Sequence, residues 1–189
     1  MSQTKPDNQG YTPWGEATNS PLSSEESKSG ALHGSSHVWI WRRRDDEVEV
    51  LIQQRTLSKS TYPGFWDISA AGHIDFGETP LQAAIRETEE EINLSITPED
   101  MTALFVHRAF LVTDATKKMY ENEFQFVYGL RVDDLPGLKL QSSEVDATKW
   151  IRLKELEDIA QSKGTGKIVP HGPAYFLSLI EEIKRQAAE

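Results

Sequence analysis

Residues 86–91 read RETEEE, so four carboxylates lie within five consecutive positions. Like charges this close repel one another, and at i,i+4 on a helix they reduce its stability. Two interpretations are open for such a run. It is either a solvated helix face, as most charge runs are, or a site where a hard cation such as Mg²⁺ binds oxygen ligands.

The residues around this run carry the signals of an amphipathic helix. Thr79 suits the N-cap, Pro80 suits the first helical position, and Gln82 completes a capping box. Asn93 can adopt the left-handed conformation that ends a helix. The predicted buried face has helical spacing and consists of Leu81, Ala84, Ile85, Thr88 and Ile92.

Three of the acids share one side of this predicted helix. At about 100° per residue, Glu87, Glu90 and Glu91 stand beside the apolar stripe, whereas Glu89 points to solvent. Carboxylates at the margin of a packed face repel one another and lose solvation. A Mg²⁺ ion removes both problems, because it takes oxygen ligands and is usually shared with substrate phosphates. The positions therefore allow a metal site, but a charge run is more often a solvated face, so both interpretations stay open at this point.

The spacing of the residues before this run is more specific. Gly72 is followed after five residues by Glu78, and after seven more by Arg86 and the acids. Residues 72–94 resemble the Nudix box, the motif of hydrolases that cleave nucleoside diphosphates linked to another moiety and related diphosphates. The matching residues are Gly72, Glu78, Arg86, Glu87, Glu90, Glu91 and Leu94. Asn93 stands where the family usually has Gly, and Asn tolerates the same backbone.

The resemblance implies both a fold and a site. The fold is α/β, namely an α/β/α sandwich with a mixed β-sheet. Mg²⁺, with Mn²⁺ as an alternative, would bind the main chain of Gly72 and three side chains, Glu87, Glu90 and Glu91. The metal would neutralise the diphosphate and activate a water molecule. Arg86 would hold the acids through ion pairs, although its position also allows an ordinary exposed pair with a neighbouring Glu.

The flanking sequence narrows the resemblance. LIQQRTLSKSTYPGFWDISAAGH, and YENEF further on, are similar to isopentenyl-diphosphate isomerases and their Nudix-like relatives over about residues 33–150. Arg55 and Lys59 match positions that hold the diphosphate in these isomerases. Arg makes bidentate phosphate contacts and Lys supplies a point charge. The alternative is that both are ordinary surface cations.

Resemblance to the isomerases also implies a second metal site made of His and Glu. The matching residues are His33, His73, Glu121 and Glu123, and Glu26 falls near the position of a further His. Glu121 and Glu123 are two apart on a predicted strand, so they face the same side. The alternatives are a polar strand face for the acids and ordinary core or surface positions for the histidines.

The isomerase reaction itself is not expected. Moving a double bond requires protonation on one face of the alkene and deprotonation on the other. The isomerases resembled here use a Cys where this chain has Ala71, and the chain contains no Cys. Three functions stay open: a diphosphate hydrolase, which the intact acids favour, an isopentenyl-diphosphate isomerase that works without Cys, and a non-catalytic diphosphate-binding Nudix domain.

Three residues are candidates for the general base of a hydrolase. Glu90 or Glu87 could deprotonate the attacking water from within the box. Glu144, in SSEVDATKW, precedes a predicted strand and could lie on a loop over the site, where some family members place the base. The alternative for Glu144 is a solvent-facing loop position.

Composition limits the partners. The chain has 189 residues, a formal net charge of -10 and no Cys, so disulfides and thiolate metal sites are excluded. Its acidity suits neither nucleic acid nor anionic membranes. Together with the resemblance to the Nudix box, this implies a small-molecule diphosphate substrate. The resemblance also implies either a monomer or a homodimer. A cytoplasmic location is expected because no signal peptide or membrane span is evident.

The elements that must position these residues are strands before and after the helix. Strand-like patterns occupy residues 37–43, 47–55, 66–74, 103–112, 121–132 and 146–153, and helical spacing occupies residues 153–161 and 173–187. Residues 1–30 are rich in Ser, Glu and Pro and are predicted to be a flexible N-terminal arm, from which Tyr11 or Trp14 could dock. Residues 31–189 would form a single Nudix domain.

Overall fold

The computed structural model describes residues 7–114, 119–135, 137–161 and 167–189. Its strands are β1 (Asn8–Tyr11), β2 (Ala17–Leu22), β3 (His33–Arg44), β4 (Glu47–Arg55), β5 (Trp66–Asp67), β6 (Ala70–His73), β7 (Met101–Asp114), β8 (Met119–Arg131) and β9 (Val145–Arg152). Its α-helices are α1 (Ser24–Lys28), α2 (Pro80–Ile92), α3 (Leu153–Gln161) and α4 (Pro173–Ala187). No helix within these ranges is long and apolar enough to span a membrane.

Strand β3 is the centre of a mixed sheet. It pairs antiparallel with β4 and β6 and parallel with β8, while β7 pairs with β8 and β9 with β4. Alternate side chains of β3 enter different layers. Val38 shares an apolar cluster with Ala84 of α2, whereas Trp39 shares one with Tyr175 of α4. The predicted α/β/α sandwich with a mixed sheet is therefore confirmed.

The register of the sheet brings polar residues of several strands together. In the parallel pair β3–β8, His33 lies opposite Glu123. In the antiparallel pair β3–β6, Ser35 lies opposite His73. These pairs lie at the beginning of β3, before its apolar stretch, so one end of the sheet carries His and Glu side chains.

Helix α2 begins and ends as the sequence predicts. The Thr79 hydroxyl accepts the main-chain N–H of Gln82, and the Gln82 side chain accepts that of Thr79. Asn93 ends the helix in the left-handed conformation with φ of 57°. Glu91 is buried with the apolar face, although the helical pattern alone places it only at the margin. The remaining predicted strands and helices are also present, except that the one strand predicted over residues 66–74 is divided into β5 and β6.

The N-terminal segment is the main departure from the predicted organisation. Residues 1–6 lie outside the described residues. Strand β1 pairs with both β2 and β3, so this part of the segment predicted as a flexible arm over residues 1–30 is joined to the sheet in the structure. Tyr11 is buried against Phe124, whereas Trp14 is 88% exposed. Main-chain hydrogen bonds to the sheet order a segment whose composition is polar.

Candidate metal centre and active site

The acids of α2 differ in exposure because they lie at the edge of its packed face. Glu91 is buried, the Glu87 side chain is 15% exposed and the Glu90 side chain is 53% exposed. Glu89 is exposed, as its position on the helix predicts. The three predicted ligands therefore form a row that runs from the core to the solvent. This row lies on the side of α2 that packs on β6.

The Glu87 side chain occupies the space beside Gly72. The Glu87 carboxylate lies where a β-carbon on Gly72 would have to be, so a larger residue would overlap it. Close approach between a backbone and a ligand or side chain is a characteristic use of glycine. The main chain of β6 and the Glu87 carboxylate therefore meet at one point, as the predicted metal site requires.

Glu91 is held through one of its two carboxylate oxygens. The side-chain amide of Gln53 donates to Oε2 at 3.0 Å, and the main-chain N–H of Ala71 donates to the same oxygen at 3.1 Å. Oε1 is therefore the oxygen that can bind a cation. Burial, reinforced by the charge of Glu87, raises the pKa of Glu91 to about 8. At neutral pH the metal-free acid holds a proton, which a bound cation would displace.

We expect the metal-free protein to lose stability as the pH rises from 4.5 to about 8. The pKa of Glu91 is raised from 4.5 to about 8 by the fold, so only the folded chain retains this proton between those values. The free energy of unfolding then falls, by up to roughly 1.4 kcal/mol per pH unit from this group. Urea unfolding with a chelator measures the slope, which Glu91→Gln should reduce. Equal slopes in the two proteins would contradict this assignment.

Arg86 is the cation that holds the acids in place. Its guanidinium donates to the two carboxylate oxygens of Glu78 at 3.1 and 2.9 Å and to Glu87 at 2.6 Å. It also donates to the His73 carbonyl at 3.0 Å and lies 3.6 Å from Glu90. Burial would lower the pKa of Arg86, but Glu78 and Glu87 outweigh it and raise the pKa. Arg86 therefore stays charged, and it is the predicted ion-pair anchor rather than an exposed cation.

The four residues of the predicted second site also meet. His33, His73, Glu121 and Glu123 each place one ligand atom within 4.8 Å of the others. Oε1 of Glu123 lies 3.3 Å from Nε2 of His33 and 3.4 Å from Nε2 of His73. Glu121 lies 3.8 Å from His33. Glu26 is exposed in α1 and does not belong to this group.

His33 is oriented as a metal ligand would be. Its Nδ1–H donates to the carbonyl of Ala31 at 2.8 Å, so Nε2 carries a lone pair in the neutral ring. This buried nitrogen faces Glu123 but forms no hydrogen bond within the part of the chain that the structure describes. A lone pair opposite a carboxylate is repulsive unless a proton or a metal ion lies between them. Two imidazoles and two carboxylates therefore fit a divalent cation.

Burial and the two histidines set the charges of this group. Burial would raise the pKa of Glu123, but His33 and His73 outweigh it and hold the pKa well below its usual value. Burial and the charge of Glu123 raise the pKa of Glu121 to about 7. Burial would lower the pKa of His33, but Glu123 outweighs it and raises the pKa. One carboxylate is therefore ionised, and the other holds a proton part of the time near neutral pH.

Arg55 is bound within the protein. Its guanidinium donates to Asp67 at 3.1 Å and makes three hydrogen bonds to the carbonyl and hydroxyl of Thr61. His171 donates to the same Asp67 at 2.8 Å. Burial would raise the pKa of Asp67, but His171 and Arg55 lower it to about 2. Arg55 therefore fixes the loop of residues 56–65, and its contact with a diphosphate stays a prediction.

Lys59 and Glu144 form an ion pair close to the acid row. The Glu144 carbonyl accepts the N–H of Thr56 at 3.2 Å, and the N–H of Gln141 donates to the carbonyl of Glu91 at 2.9 Å. The first bond joins the loop after β4 to the loop before β9, and the second joins the loop before β9 to the end of α2. The charge of Lys59 opposes part of the rise in the pKa of Glu91. Both predicted residues therefore lie at the candidate site, where Lys59 neutralises Glu144.

Three residues that were not among the predicted site residues hold the ligands in place. Gln53 holds Glu91, while Ser35 and Gln125 donate to Oε2 of Glu123 at 2.9 and 3.2 Å. The three donors are buried in strands. The available signal is a polar residue next to an apolar strand run, as in VLIQQ and SSHVWIW. This signal indicates a buried polar group but not its partner.

Known proteins resemble this chain. A model of the NUDIX domain matches residues 33–171. Nudix hydrolase 3 of Arabidopsis thaliana is 35% identical over 150 residues, which cover 78% of this chain but only 19% of that protein. An uncharacterized Nudix hydrolase of Listeria innocua is 31% identical over 161 residues, 85% of this chain and 83% of that protein. An isopentenyl-diphosphate Delta-isomerase of Cutibacterium acnes is 31% identical over 116 residues, 60% of this chain and 58% of that protein.

The fold comparison agrees with the sequence comparison. The crystal structure of DR0079 from Deinococcus radiodurans has a TM-score of 0.62 to this chain at 20% identity, covering 94% of this chain and 97% of that one. The box at residues 72–94 lies within the residues that the domain model matches, and β3 to β9 of the sandwich lie within them as well. From these three findings, the chain belongs to the Nudix hydrolase family.

Proposed function

We propose that the protein is a Mg²⁺-dependent hydrolase that cleaves a diphosphate linkage in a small-molecule or nucleotide substrate. The observation that carries this proposal is the row of Glu87, Glu90 and Glu91 beside Gly72. Carboxylates crowded into a partly buried row are unfavourable unless cations compensate them. Mn²⁺ is the alternative ion, because oxygen ligands suit both metals.

The metal would be held by the three acids and by the main chain of Gly72. Oε1 of Glu91 is directed away from the donors that hold Oε2, and Arg86 fixes Glu87 through one oxygen. When bound, the metal supplies charge neutralisation for the diphosphate and activation of water. The protein contributes carboxylates that are already oriented, so little reorganisation accompanies the reaction.

Glu90 is the best-supported general base. Its side chain is 53% exposed, so water can reach it. Glu87 accepts a 2.6 Å hydrogen bond from Arg86, and Glu144 is paired with Lys59. Burial outweighs Arg86 and raises the pKa of Glu87, so the choice of Glu90 rests on its access to water and on its looser contact with Arg86, at 3.6 Å. Glu90 would take a proton from the attacking water as its oxygen bonds to phosphorus, and the bridging P–O bond would break so that the second phosphate group leaves.

Lys59 would bind the outer phosphate oxygens of the substrate. A diphosphate would compete with Glu144 for the ammonium group, since both offer anionic oxygens. Arg55 would support this contact by fixing the loop that carries Lys59. The net charge of -10 disfavours nucleic acid and anionic membranes as partners, which leaves a small-molecule diphosphate as the expected substrate.

Isopentenyl-diphosphate isomerisation is the second candidate function. The grouping of His33, His73, Glu121 and Glu123 favours it, because the same residues match the metal ligands of the isomerases. The Cutibacterium acnes relative is named for that reaction. Ala71 argues against it, since an Ala side chain cannot donate or accept a proton. The complete set of box acids is better explained by hydrolysis.

A panel of diphosphates distinguishes these functions. We would incubate the protein with Mg²⁺ and with nucleotide sugars, nucleoside triphosphates, cofactor diphosphates and isopentenyl diphosphate. Phosphorus NMR follows P–O–P cleavage and proton NMR follows alkene migration. Glu90→Gln should slow cleavage by about 100-fold or more, the usual contribution of a general base. Glu89→Gln is the matched control, because it makes the same charge change at an exposed position of the same helix.

Each result of this assay decides between the functions. Cleavage that Glu89→Gln retains and Glu90→Gln loses would support the hydrolase. Alkene migration without cleavage would contradict it and establish the isomerase. Binding of diphosphates without any reaction would point to a non-catalytic domain. Cleavage at equal rates in both variants would remove Glu90 as the base.

A further inference from the structure

A continuous hydrogen-bonded chain leads from helix α4 to Glu123. Trp39 Nε1 lies 2.9 Å from the Tyr175 hydroxyl, which lies 2.9 Å from Nδ1 of His37. Nε2 of His37 lies 3.3 Å from the Ser35 hydroxyl, which lies 2.9 Å from Oε2 of Glu123. All five side chains belong to buried residues, so water does not compete strongly for these bonds.

The two ends of the chain determine the direction of every proton in it. A carboxylate can only accept, so Ser35 donates its one O–H to Glu123 and must accept from Nε2–H of His37. An indole can only donate, so the Tyr175 oxygen accepts from Trp39, and among the described residues the acceptor within reach of its own O–H is Nδ1 of His37. The His37 ring must then be neutral. Burial, reinforced by His171, lowers the pKa of His37 to about 3, which agrees with a neutral ring.

We infer that Tyr175, His37 and Ser35 are positioning residues that orient Glu123 for metal binding through this one-directional chain. The inference rests on the proposed metal site of two His and two Glu residues. Tyr175 donates to His37, and His37 donates to Ser35. The Ser35 hydroxyl is therefore left to donate to the Glu123 carboxylate. Holding Oε2 in this way turns Oε1 toward the two histidines.

The position of the chain explains why it matters for the metal. Outer partners of metal ligands commonly change metal affinity by about 10- to 100-fold. Ser35, His37 and Trp39 alternate along β3 and therefore point to one face of the sheet, where α4 packs. Tyr175 on α4 thus connects the packing of that helix to the orientation of a metal ligand.

Nitrogen-15 NMR of the His37 ring in metal-free protein tests the direction of the chain. We expect the Nε2–H form, with His37→Gln used to assign the signals. Tyr175→Phe removes the donor to Nδ1 but keeps the buried ring, so it should shift the Nδ1 signal. Tyr128→Phe, which removes a hydroxyl outside the chain, should not. The Nδ1–H form in the wild type would overturn the inference, because Ser35 would then be free to donate to His37 instead of Glu123.

A Mn²⁺ titration followed by electron paramagnetic resonance tests the positioning role. Glu123→Gln identifies the signal of this site. Ser35→Ala should weaken its Mn²⁺ affinity by about 10-fold, and Ser35→Thr, which keeps the hydroxyl, should restore it. Equal affinities of Ser35→Ala and wild type would overturn the inference. If Glu123→Gln binds Mn²⁺ as the wild type does, this metal site and the positioning role are both wrong, while the phosphorus assay decides separately on hydrolysis by the acids of α2.

Discussion

Gly72→Ala should reduce diphosphate cleavage by about 100-fold or more, since a displacement of about 1 Å at a catalytic site can cost that much. The added β-carbon would overlap the Glu87 carboxylate, so either the side chain or strand β6 must move. The overlapping atoms are the end of a flexible side chain, so we expect Glu87 to shift at little cost in stability and the main effect to fall on the cleavage rate. The cleavage rate and the free energy of urea unfolding measure the two effects.

Gly137→Ala is the matched control for this substitution. A β-carbon at Gly137 would meet no described atom within 4 Å, so neither the rate nor the stability should change. If Gly72→Ala behaved like this control, Glu87 would not occupy the position that the structure gives it, and the proposed metal site would have to be revised.

Arg86→Ala should lower both stability and activity, because it removes the cation shared by Glu78 and Glu87. Breaking a buried ion pair costs about 3–5 kcal/mol, and we expect about 2 kcal/mol here because the Arg86 side chain is 25% exposed. The cleavage rate should fall by about 100-fold as Glu87 loses the group that orients it. Urea unfolding and phosphorus NMR measure these changes.

Arg185→Ala provides a comparison at the surface. Arg185 also pairs with two glutamates, Glu182 and Glu189, but its side chain is 55% exposed. Solvent screens such pairs, so their loss should have little effect on stability. Added Mg²⁺ should stabilise the Arg86→Ala protein more than the Arg185→Ala protein, because it replaces a positive charge among the same acids. Equal behaviour of the two variants would contradict the role given to Arg86.

Local rules were sufficient to predict helix α2. Its capping residues and the left-handed Asn93 depend only on near neighbours in the chain, and the structure agrees at both ends. The strand period likewise predicts that Glu121 and Glu123 face one side. Helical spacing alone therefore predicts how Glu87, Glu90 and Glu91 lie relative to one another on α2.

Long-range contacts could not be predicted in the same way. Gln53 is 38 residues from Glu91 in the chain, and no local pattern connects them. Arg55 matches a phosphate-binding position, yet Asp67 holds its guanidinium in the fold. Strand β1 is polar in composition and is ordered by main-chain pairing with β3. In each case a tertiary partner decides the outcome, and that partner is not visible in the neighbouring sequence.

Two candidate ligands are held in the same manner. Glu91 accepts from Gln53 through Oε2, and Glu123 accepts from Ser35 and Gln125 through Oε2. Each carboxylate therefore has one oxygen fixed by buried donors and the other oxygen directed to the candidate site. A solvated acidic face needs no such donors, so this arrangement favours metal binding as the reason for the crowded acids.

The most direct test follows oxygen-18 from labelled water during reaction of the wild-type protein with Mg²⁺ and the diphosphate panel. Mass spectrometry detects the label in the products. We predict that one labelled oxygen enters a phosphate-bearing product for every linkage cleaved, and that Glu90→Gln suppresses this incorporation while Glu89→Gln does not. Phosphate products without label, or an intact diphosphate with a migrated double bond, would contradict hydrolysis at this site.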